Sequence, residues 1–538
     1  MTLQDYLKLK NGTDVRGVAL DGVKNEPITL TSEVVKSIAK AFCVWLISRT
    51  GKTKLRIAVG YDSRLSSQKL CRAVVKGITS TGHDAIVTGL STTPSMFALL
   101  QDETWEKEPC HGSIMITASH LPFNRNGLKF FSKDGGAESE DVTEILTIAS
   151  DFRFAEVQQK GRVVEKTYLD VYARSLVEKV RLETKDEFPL AGKHVIVDAG
   201  NGAGGFFAEK VLKQLGANTK GSQFLEPDGN FPNHVPNPEN KEAMASICDA
   251  VIDSKAELGI IFDTDVDRAA MVDKNGNPIN RNALIALISA ILLEEKQGGM
   301  IVTDSVTSEG LTKFIEQKGG MHRRYKRGYK NVINEAKEMS RKGHYVPLAI
   351  ETSGHAALKE NYYLDDGAYL VVKLLIALAK SAKKGKRLED YIADLETPAE
   401  EAEVRLSFNP DCDFKKEGAK ILKDFENRLA NCNYAKASED NFEGCRAEYD
   451  ETHGAGWALL RMSLHDPILP INAESRKVDG TLKILKDLYY FFKQYDCLDL
   501  TPLKKAIEQA RKALLCNLKS ASEKNELDFL TQFDGFYV

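Results

Sequence analysis

The feature that most constrains the fold is a pattern met three times. Leu55–Leu70, His194–Leu212 and Gly299–Ile315 each begin as an apolar run with strand character. Each then passes through a turn carrying Asp and small residues and continues with helical spacing. In each, an aspartate (Asp62, Asp198, Asp304) closes the strand, where it is expected to cap the following helix. A chain that repeats strand, polar turn and helix builds layered units, so three related α/β domains are expected. Between them, Ser32–Arg49 and Asn282–Lys296 carry apolar residues at helical spacing and read as core-facing helices. After Thr397–Glu401 the pattern changes. Strand-like Val404–Phe408, helical Phe414–Leu429, strand-like runs near Trp457–Met462 and Ile468–Ala473, and a helix from Val478 suit a smaller α+β domain. A length of 538 residues accommodates about three or four domains. The expected divisions are 1–165, 166–280, 281–397 and 398–498, followed by a charged helical extension over 499–538.

Composition narrows the function. Lys and Arg number 73 against 77 Asp and Glu, a net charge of −4 with both signs interspersed, which excludes a general basic surface for nucleic acid. The longest apolar stretch, Ala283 to Leu293, falls short of a membrane span, and the N-terminus has neither a basic nor an apolar leader segment, so no export or anchoring is expected. Nine scattered cysteines without a CxxC pair fit free thiols in a reducing compartment, and the cytoplasm is the expected location.

Four segments carry chemistry. Ser113–Lys129 runs from an apolar strand into a loop containing Thr117-Ala118-Ser119-His120, where a hydroxyl can serve as a nucleophile or merely stabilise the loop. Leu258–Val272 places Asp263, Asp265 and Asp267 at i, i+2 and i+4 between two strand-like runs. In an extended loop these carboxylates converge on one side, where their repulsion calls for a cation. Oxygen ligands select Mg²⁺, Mn²⁺ or Ca²⁺ over zinc. A calcium-binding EF-hand starting at Asp263 is excluded, since Arg268 falls where Gly is needed and Lys274 where the bidentate Glu belongs. Three solvated loop acids remain the alternative, although Arg268 adds a phosphate donor at the same place. Ala349–His355 presents Glu351, Ser353 and His355 after an apolar run, a set suited to sugar hydroxyls and acid–base work or to a structural turn. Trp457–Pro467 ends a strand in a loop with Arg461, Ser463 and His465, phosphate donors if the loop is more than surface.

Together, in this order, these segments resemble the α-D-phosphohexomutase family, which includes the phosphoglucomutases and phosphomannomutases. The resemblance runs from about Asn11 to Ser475 and includes Gly12–Gly17, Gly60–Arg64, Pro227–Pro232 and Asp366-Gly367. It implies four domains, three sharing one α/β topology, and one site formed where all four meet. Ser119 would carry a phosphoryl group, with Ser119, Asp263, Asp265 and Asp267 as Mg²⁺ ligands. Arg16 and Arg268 would supply further positive charge. Lys129 and His355 would move protons to and from the sugar hydroxyl, and Glu351 and Ser353 would read the sugar. Lys330, Arg461, Ser463 and His465 would hold the substrate phosphate. The implied activity interconverts hexose 1-phosphate and hexose 6-phosphate, with hexose 1,6-bisphosphate as intermediate and activator and small sugar phosphates as the only partners. No nucleic acid or membrane is implied, and the oligomeric state is left open. The sequence departs from the family pattern in four places. Leu121 stands where Asn is usual, Ile350 where Gly is, and Arg327 where Val is. Leu464-His465-Asp466 removes side-chain donors from the phosphate loop. A hexose 1,6-bisphosphate synthase and a non-catalytic sugar-phosphate-binding protein are the alternatives.

Overall fold

The structure is a computed structural model and describes residues 2–151, 154, 157–463 and 466–522. Within these residues the chain forms two compact units. One comprises the described residues within 1–303, 315–322 and 328–394, the other those within 304–314, 323–327 and 395–538.

The first unit repeats one strand arrangement three times. In the first repeat, Arg56–Tyr61 pairs parallel with Gly112–Ile116. That strand pairs antiparallel with Arg125–Ser132, which pairs antiparallel with Asp14–Val18. Val195–Asp198, Leu258–Phe262, Ala269–Asp273 and Pro278–Ile279 repeat the order parallel, antiparallel, antiparallel. Met300–Asp304, Leu348–Ile350, Ala356–Leu358 and Leu364–Asp365 repeat it again. The three related α/β domains expected from the sequence are therefore present. Each has a hairpin between its second and third strands, and these three hairpins hold Ser119, the aspartate triplet, and Glu351 to His355.

Helices cover the sheets through apolar stripes. In Ser32–Thr50 the residues Val35, Ile38, Phe42 and Leu46 recur at helical spacing, are fully buried and pack into the core of the first sheet. Each such side chain contributes about 1.5–3 kcal/mol. The helix starts where the Thr31 hydroxyl accepts the Val34 N–H (3.3 Å) and ends at Gly51 with φ +66°, so the expected span was one residue short. Arg281–Glu295 is buried continuously from Leu284 to Leu293, which accounts for its unbroken apolar sequence. Among the described residues no helix is long and apolar enough to cross a membrane.

The three strand-closing aspartates do not cap helices. Asp62 accepts the Arg64 N–H (3.0 Å) and the Ser67 hydroxyl (2.9 Å), and its helix begins after Ser66. Asp198 accepts the Gly200 N–H (2.8 Å) and contacts His234 Nε2 (3.0 Å), while the next helical turn starts only at Phe207. Asp304 lies 3.4 Å from Arg327 Nε, and the Ser308 hydroxyl takes the Leu311 N–H instead. In each case the turn is too long for a strand-end carboxylate to reach a helix's first amides, so it satisfies turn donors and cations.

The second unit contains a six-stranded sheet in the order Ala435–Ala437, Cys445–Tyr449, Gly456–Leu460, Ile468–Ser475, Glu400–Phe408, Leu498–Asp499. Its core takes Ile421, Phe425 and Leu429 from helix Phe414–Ala430, Ile484, Leu485 and Leu488 from helix Gly480–Phe492, and Leu503 from helix Thr501–Ser522. The α+β expectation holds, and helix Thr501–Ser522 follows the sheet. Strand Gly456–Leu460, which leads into Arg461–Ser463, pairs antiparallel with Ile468–Ser475.

Candidate active site

Ser119 is nine-tenths buried at the top of the first hairpin, with φ +51°, a left-handed conformation that non-glycine residues adopt only when their surroundings hold them there. The Thr117 hydroxyl accepts its N–H (2.9 Å). From beneath, the Arg64 guanidinium donates to the carbonyls of Ser119 (2.5 Å), Leu121 (2.6 Å), Pro122 (2.8 Å) and Arg125 (3.0 Å). Arg16 donates to the Thr117 carbonyl and pairs with Asp14 (2.7 Å). Held this way, the Ser119 hydroxyl donates to Asp263 Oδ2 (3.0 Å) and accepts from the Arg268 guanidinium (2.9 Å). His120 Nδ1 accepts from the same guanidinium (2.7 Å); burial, then the charge of Arg268, pushes this imidazole down to about 3, so it is neutral.

The aspartate segment is a tight turn, not the extended loop expected. Val266 has φ +67°, its N–H reaches the Asp263 carbonyl (3.3 Å), and its own carbonyl accepts the Gly367 N–H (3.1 Å). A β-branched residue disfavours this conformation, and neighbouring backbone imposes it. Ala203 N–H donates to the Thr264 carbonyl (2.8 Å), and a Cβ on Gly202 would fall 2.7 Å from that oxygen. The turn brings oxygens of Asp263, Asp265 and Asp267, all fully buried, within 4.8 Å of one another. Lys129 Nζ lies 2.5 Å from Asp267 and 3.3 Å from Asp265, and the Thr93 hydroxyl donates to Asp265 (2.5 Å). Asp265 Oδ1 and Asp267 Oδ1 are buried with no hydrogen-bond partner among the described residues. Orphaned carboxylate oxygens beside converging partners fit a hard divalent cation, so the triplet can hold a metal ion.

The electrostatics follow from burial and pairing. Burial, reinforced by Asp267 and opposed by Arg268, holds Asp263 well above the usual carboxylate range. For Asp267 burial acts in the same direction, but Lys129, His355 and Arg268 outweigh it and hold the group below that range. Burial works against the charge of Lys129, yet Asp265 and Asp267 keep it protonated. His355 Nδ1 sits 2.6 Å from Asp365; burial opposes its charge, and Asp365 with Asp267 raises it to about 9.

The third hairpin lies against the second. Gly354, at φ +95°, would place a Cβ 2.6 Å from the Ala269 carbonyl, and His355 bridges to Arg268. Glu351 accepts the Gly328 N–H (2.7 Å), and the buried Ser353 hydroxyl has no partner among the described residues. Tyr329 stacks on His355 (centroids 5.1 Å apart) and bonds the Thr13 hydroxyl (3.0 Å).

The first unit thus brings together Ser119, the three aspartates, Arg268, Lys129, His355 and Arg16, with Glu351 and Ser353 on the adjoining hairpin. Lys330 Nζ is held by the Gly136 carbonyl (2.8 Å) and Glu138 (2.8 Å). Arg461 and Ser463 belong to the second unit, and His465 lies outside the described residues. Sequence reasoning passed over the roles of Arg64, Thr93, Tyr329 and Asp365. Arg64 had a signal in its place in Gly60–Arg64, and Tyr329 one in its place beside Lys330.

Family models described as phosphoglucomutase/phosphomannomutase alpha/beta/alpha domains I, II and III match residues 8–154, 170–276 and 280–398. A phosphoglucomutase of Neisseria gonorrhoeae is 31% identical over 83% of this chain and 90% of its own. A phosphomannomutase/phosphoglucomutase of Pseudomonas putida is 30% identical over 81% of this chain and 86% of its own. The X-ray structure of a phosphoglucomutase/phosphomannomutase family protein from Burkholderia thailandensis, 25% identical, superposes with a TM-score of 0.77 and covers 92% of this chain and 98% of its own. With the three repeated hairpins and the residues they carry, these matches place the chain in the phosphoglucomutase/phosphomannomutase family of α-D-phosphohexomutases, a family of phosphoryl-transferring isomerases.

Proposed function

We propose that this chain interconverts hexose 1-phosphate and hexose 6-phosphate, with Ser119 as phosphoryl carrier, hexose 1,6-bisphosphate as intermediate and Mg²⁺ at Asp263, Asp265 and Asp267. The observation that carries the reading is Ser119 Oγ held between Asp263 Oδ2 at 3.0 Å and the Arg268 guanidinium at 2.9 Å. In the step that loads Ser119, the bond between phosphorus and the sugar oxygen breaks and the bond to Ser119 Oγ forms. The hydroxyl proton passes to the carboxylate of Asp263, at which it already points, and protonated His355 or Lys129 supplies a proton to the departing oxygen. The reverse step returns a phosphoryl to the other end of the sugar; His355 or Lys129 takes up the sugar hydroxyl proton, and Asp263 returns its proton to Ser119 Oγ. Arg268 and Arg16 place fixed positive charge beside the transferring group, where phosphoryl transfer is most sensitive to it. Mg²⁺, when bound, supplies the remaining charge to a phosphoryl oxygen. Glu351 and the Ser353 hydroxyl read the sugar, and Arg461 and Ser463 hold the non-reacting phosphate. The arrangement around Ser119 speaks against a purely binding role, and nine free cysteines support a reducing, cytoplasmic setting.

Incubation with glucose 1,6-bisphosphate should add one phosphoryl group by intact mass, and Ser119→Ala should not be labelled. Chelation should abolish conversion of glucose 1-phosphate in a coupled assay, and Mg²⁺ should restore it. Labelling that persists in Ser119→Ala, or full activity in excess chelator, overturns the assignment. The Leu464 side chain carries no hydrogen-bond donor, which favours a loosely held intermediate as the second reading. The same assay decides it. A synthase releases bisphosphate at close to one per turnover, a mutase many-fold less.

A further inference from the structure

The second unit gathers two arginines around one turn, Phe442–Gly444. Gly444 has φ +65°, and a Cβ there would fall 2.0 Å from the Leu460 carbonyl and 2.8 Å from Arg461 Cα, so the turn is pressed against the start of the Arg461–Ser463 loop. On the other side runs Arg323–Arg327. The Arg323 guanidinium lies 4.3 Å from the Phe442 ring centre and the Tyr325 ring 5.4 Å from it. The Arg327 N–H donates to Glu443 (3.1 Å), whose carboxylate also accepts the Ser305 hydroxyl (2.5 Å). Arg327 and Arg461 therefore flank a single turn, each fastened to it through backbone.

Buried Asp304 lies 3.4 Å from the Nε edge of Arg327. Arg461 Nε is buried with no hydrogen-bond partner among the described residues. Burial, and next the nearby charge of Arg327, hold Arg461 below the usual guanidinium range; Glu443 and Glu403 oppose this, while the nearby Arg405, paired with Glu403 (2.8 Å), adds to it. Guanidinium groups on either side of one turn repel unless an anion stands between them, and phosphate matches their planar forks.

We propose that Arg327 is a substrate-binding residue that grips the non-reacting phosphate together with Arg461; this rests on the mutase reading given above. Arg327 supplies charge-assisted hydrogen bonds where Leu464 supplies none, and so retains the bisphosphate between its two transfers.

The test uses the full chain and inorganic phosphate as probe, by calorimetry, alongside steady-state kinetics with glucose 1-phosphate. Arg327→Gln is combined with Asp304→Asn, so that no buried carboxylate loses its cation, and is compared with Asp304→Asn alone. The double variant should bind phosphate roughly tenfold more weakly and raise KM to a similar extent, with kcat changed less than about threefold. Arg327→Lys should fall between. Lys423→Gln, an exposed charge on the same unit, should change neither quantity. Unchanged phosphate affinity in the double variant, with a clear loss in Arg461→Gln, would overturn the proposal. Phosphoryl labelling of Ser119 in the unmodified chain reports separately on the mutase reading. If that labelling fails, the phosphate affinities still decide whether the two arginines form one anion site.

Discussion

Arg64 lies beneath the loop that carries Ser119, and its four hydrogen bonds to carbonyl oxygens determine where the Ser119 hydroxyl points. It touches no reacting atom and is a positioning residue. Lysine, a point charge with three donors, cannot match that planar fork. Arg64→Lys should lower kcat by roughly tenfold or more while KM changes less than about threefold. Urea unfolding should show a loss of about 2–3 kcal/mol, the order expected for buried carbonyls left unsatisfied. A variant with unaltered kcat would show that the loop holds itself. His355 allows a second prediction at this scale. Asp365 raises it to about 9, so it is protonated at neutral pH and able to act as an acid, and the alkaline limb of the rate profile should lie near that value. Asp365→Asn removes the largest favourable interaction and should move that limb toward the ordinary histidine value. Linkage has the same sign for stability. A raised histidine contributes stability that is full below its unfolded value near 6.5 and is lost as pH rises through about 9. A limb that stays in place in the variant would separate Asp365 from the titration.

At the level of elements, one hairpin position is used three times for three different tasks. That the chain holds three α/β units was legible in its strand–aspartate–helix echoes, and Leu258–Phe262 and Ala269–Asp273 were legible as apolar runs flanking the triplet. The shape of the turn between them was not. Val266 is a residue type that argues against φ +67°, and what imposes the conformation comes from far along the chain, the Gly367 N–H and the Gly202–Ala203 backbone. The same holds for Arg64, which lies 55 residues before Ser119 with no local spacing to connect them. Gly367 tests the point. A Cβ there would fall 2.7 Å from the Arg268 carbonyl carbon and 2.9 Å from its oxygen, and backbone cannot give way as a flexible side chain can. Gly367→Ala should therefore displace the triplet, reduce activity by roughly tenfold or more and raise the Mg²⁺ needed for half activity. Helical content should be unchanged. Gly51→Ala is the contrast. It meets nothing within 4 Å but sits at φ +66°, so it should lose about 1 kcal/mol of stability and no activity. Equal activity in the two variants would remove the link between hairpin backbone and chemistry.

For the whole molecule, the two units are interleaved in sequence. Asp304–Phe314 and Arg323–Arg327 come from the third repeat yet belong to the second unit. Buried Arg446 explains part of this. It lies 3.7 Å from the Trp457 ring centre and donates to the carbonyls of Ser305 (2.9 Å) and Thr307 (3.2 Å), while Val306 packs with Trp457 and Leu459. Cutting the chain near residue 397 would thus strip apolar surface and buried hydrogen bonds from the second unit. The C-terminal helix bears on that unit too. Leu503 is fully buried in its core, with Ala506 and Ile507 packed alongside, whereas Glu508 and Gln509 are exposed. Ending the chain at Asp499 removes these three contacts, and losing one buried leucine alone costs about 2–5 kcal/mol. Ending it at Ala510 keeps all three. The shorter chain should show an early urea transition and protease cleavage within 395–499, with KM for hexose phosphate raised because the Arg461 loop springs from that sheet. The chain ending at Ala510 should match the full protein in both measurements. If both truncations behave alike, the core contacts of Leu503, Ala506 and Ile507 are not what holds the second unit together.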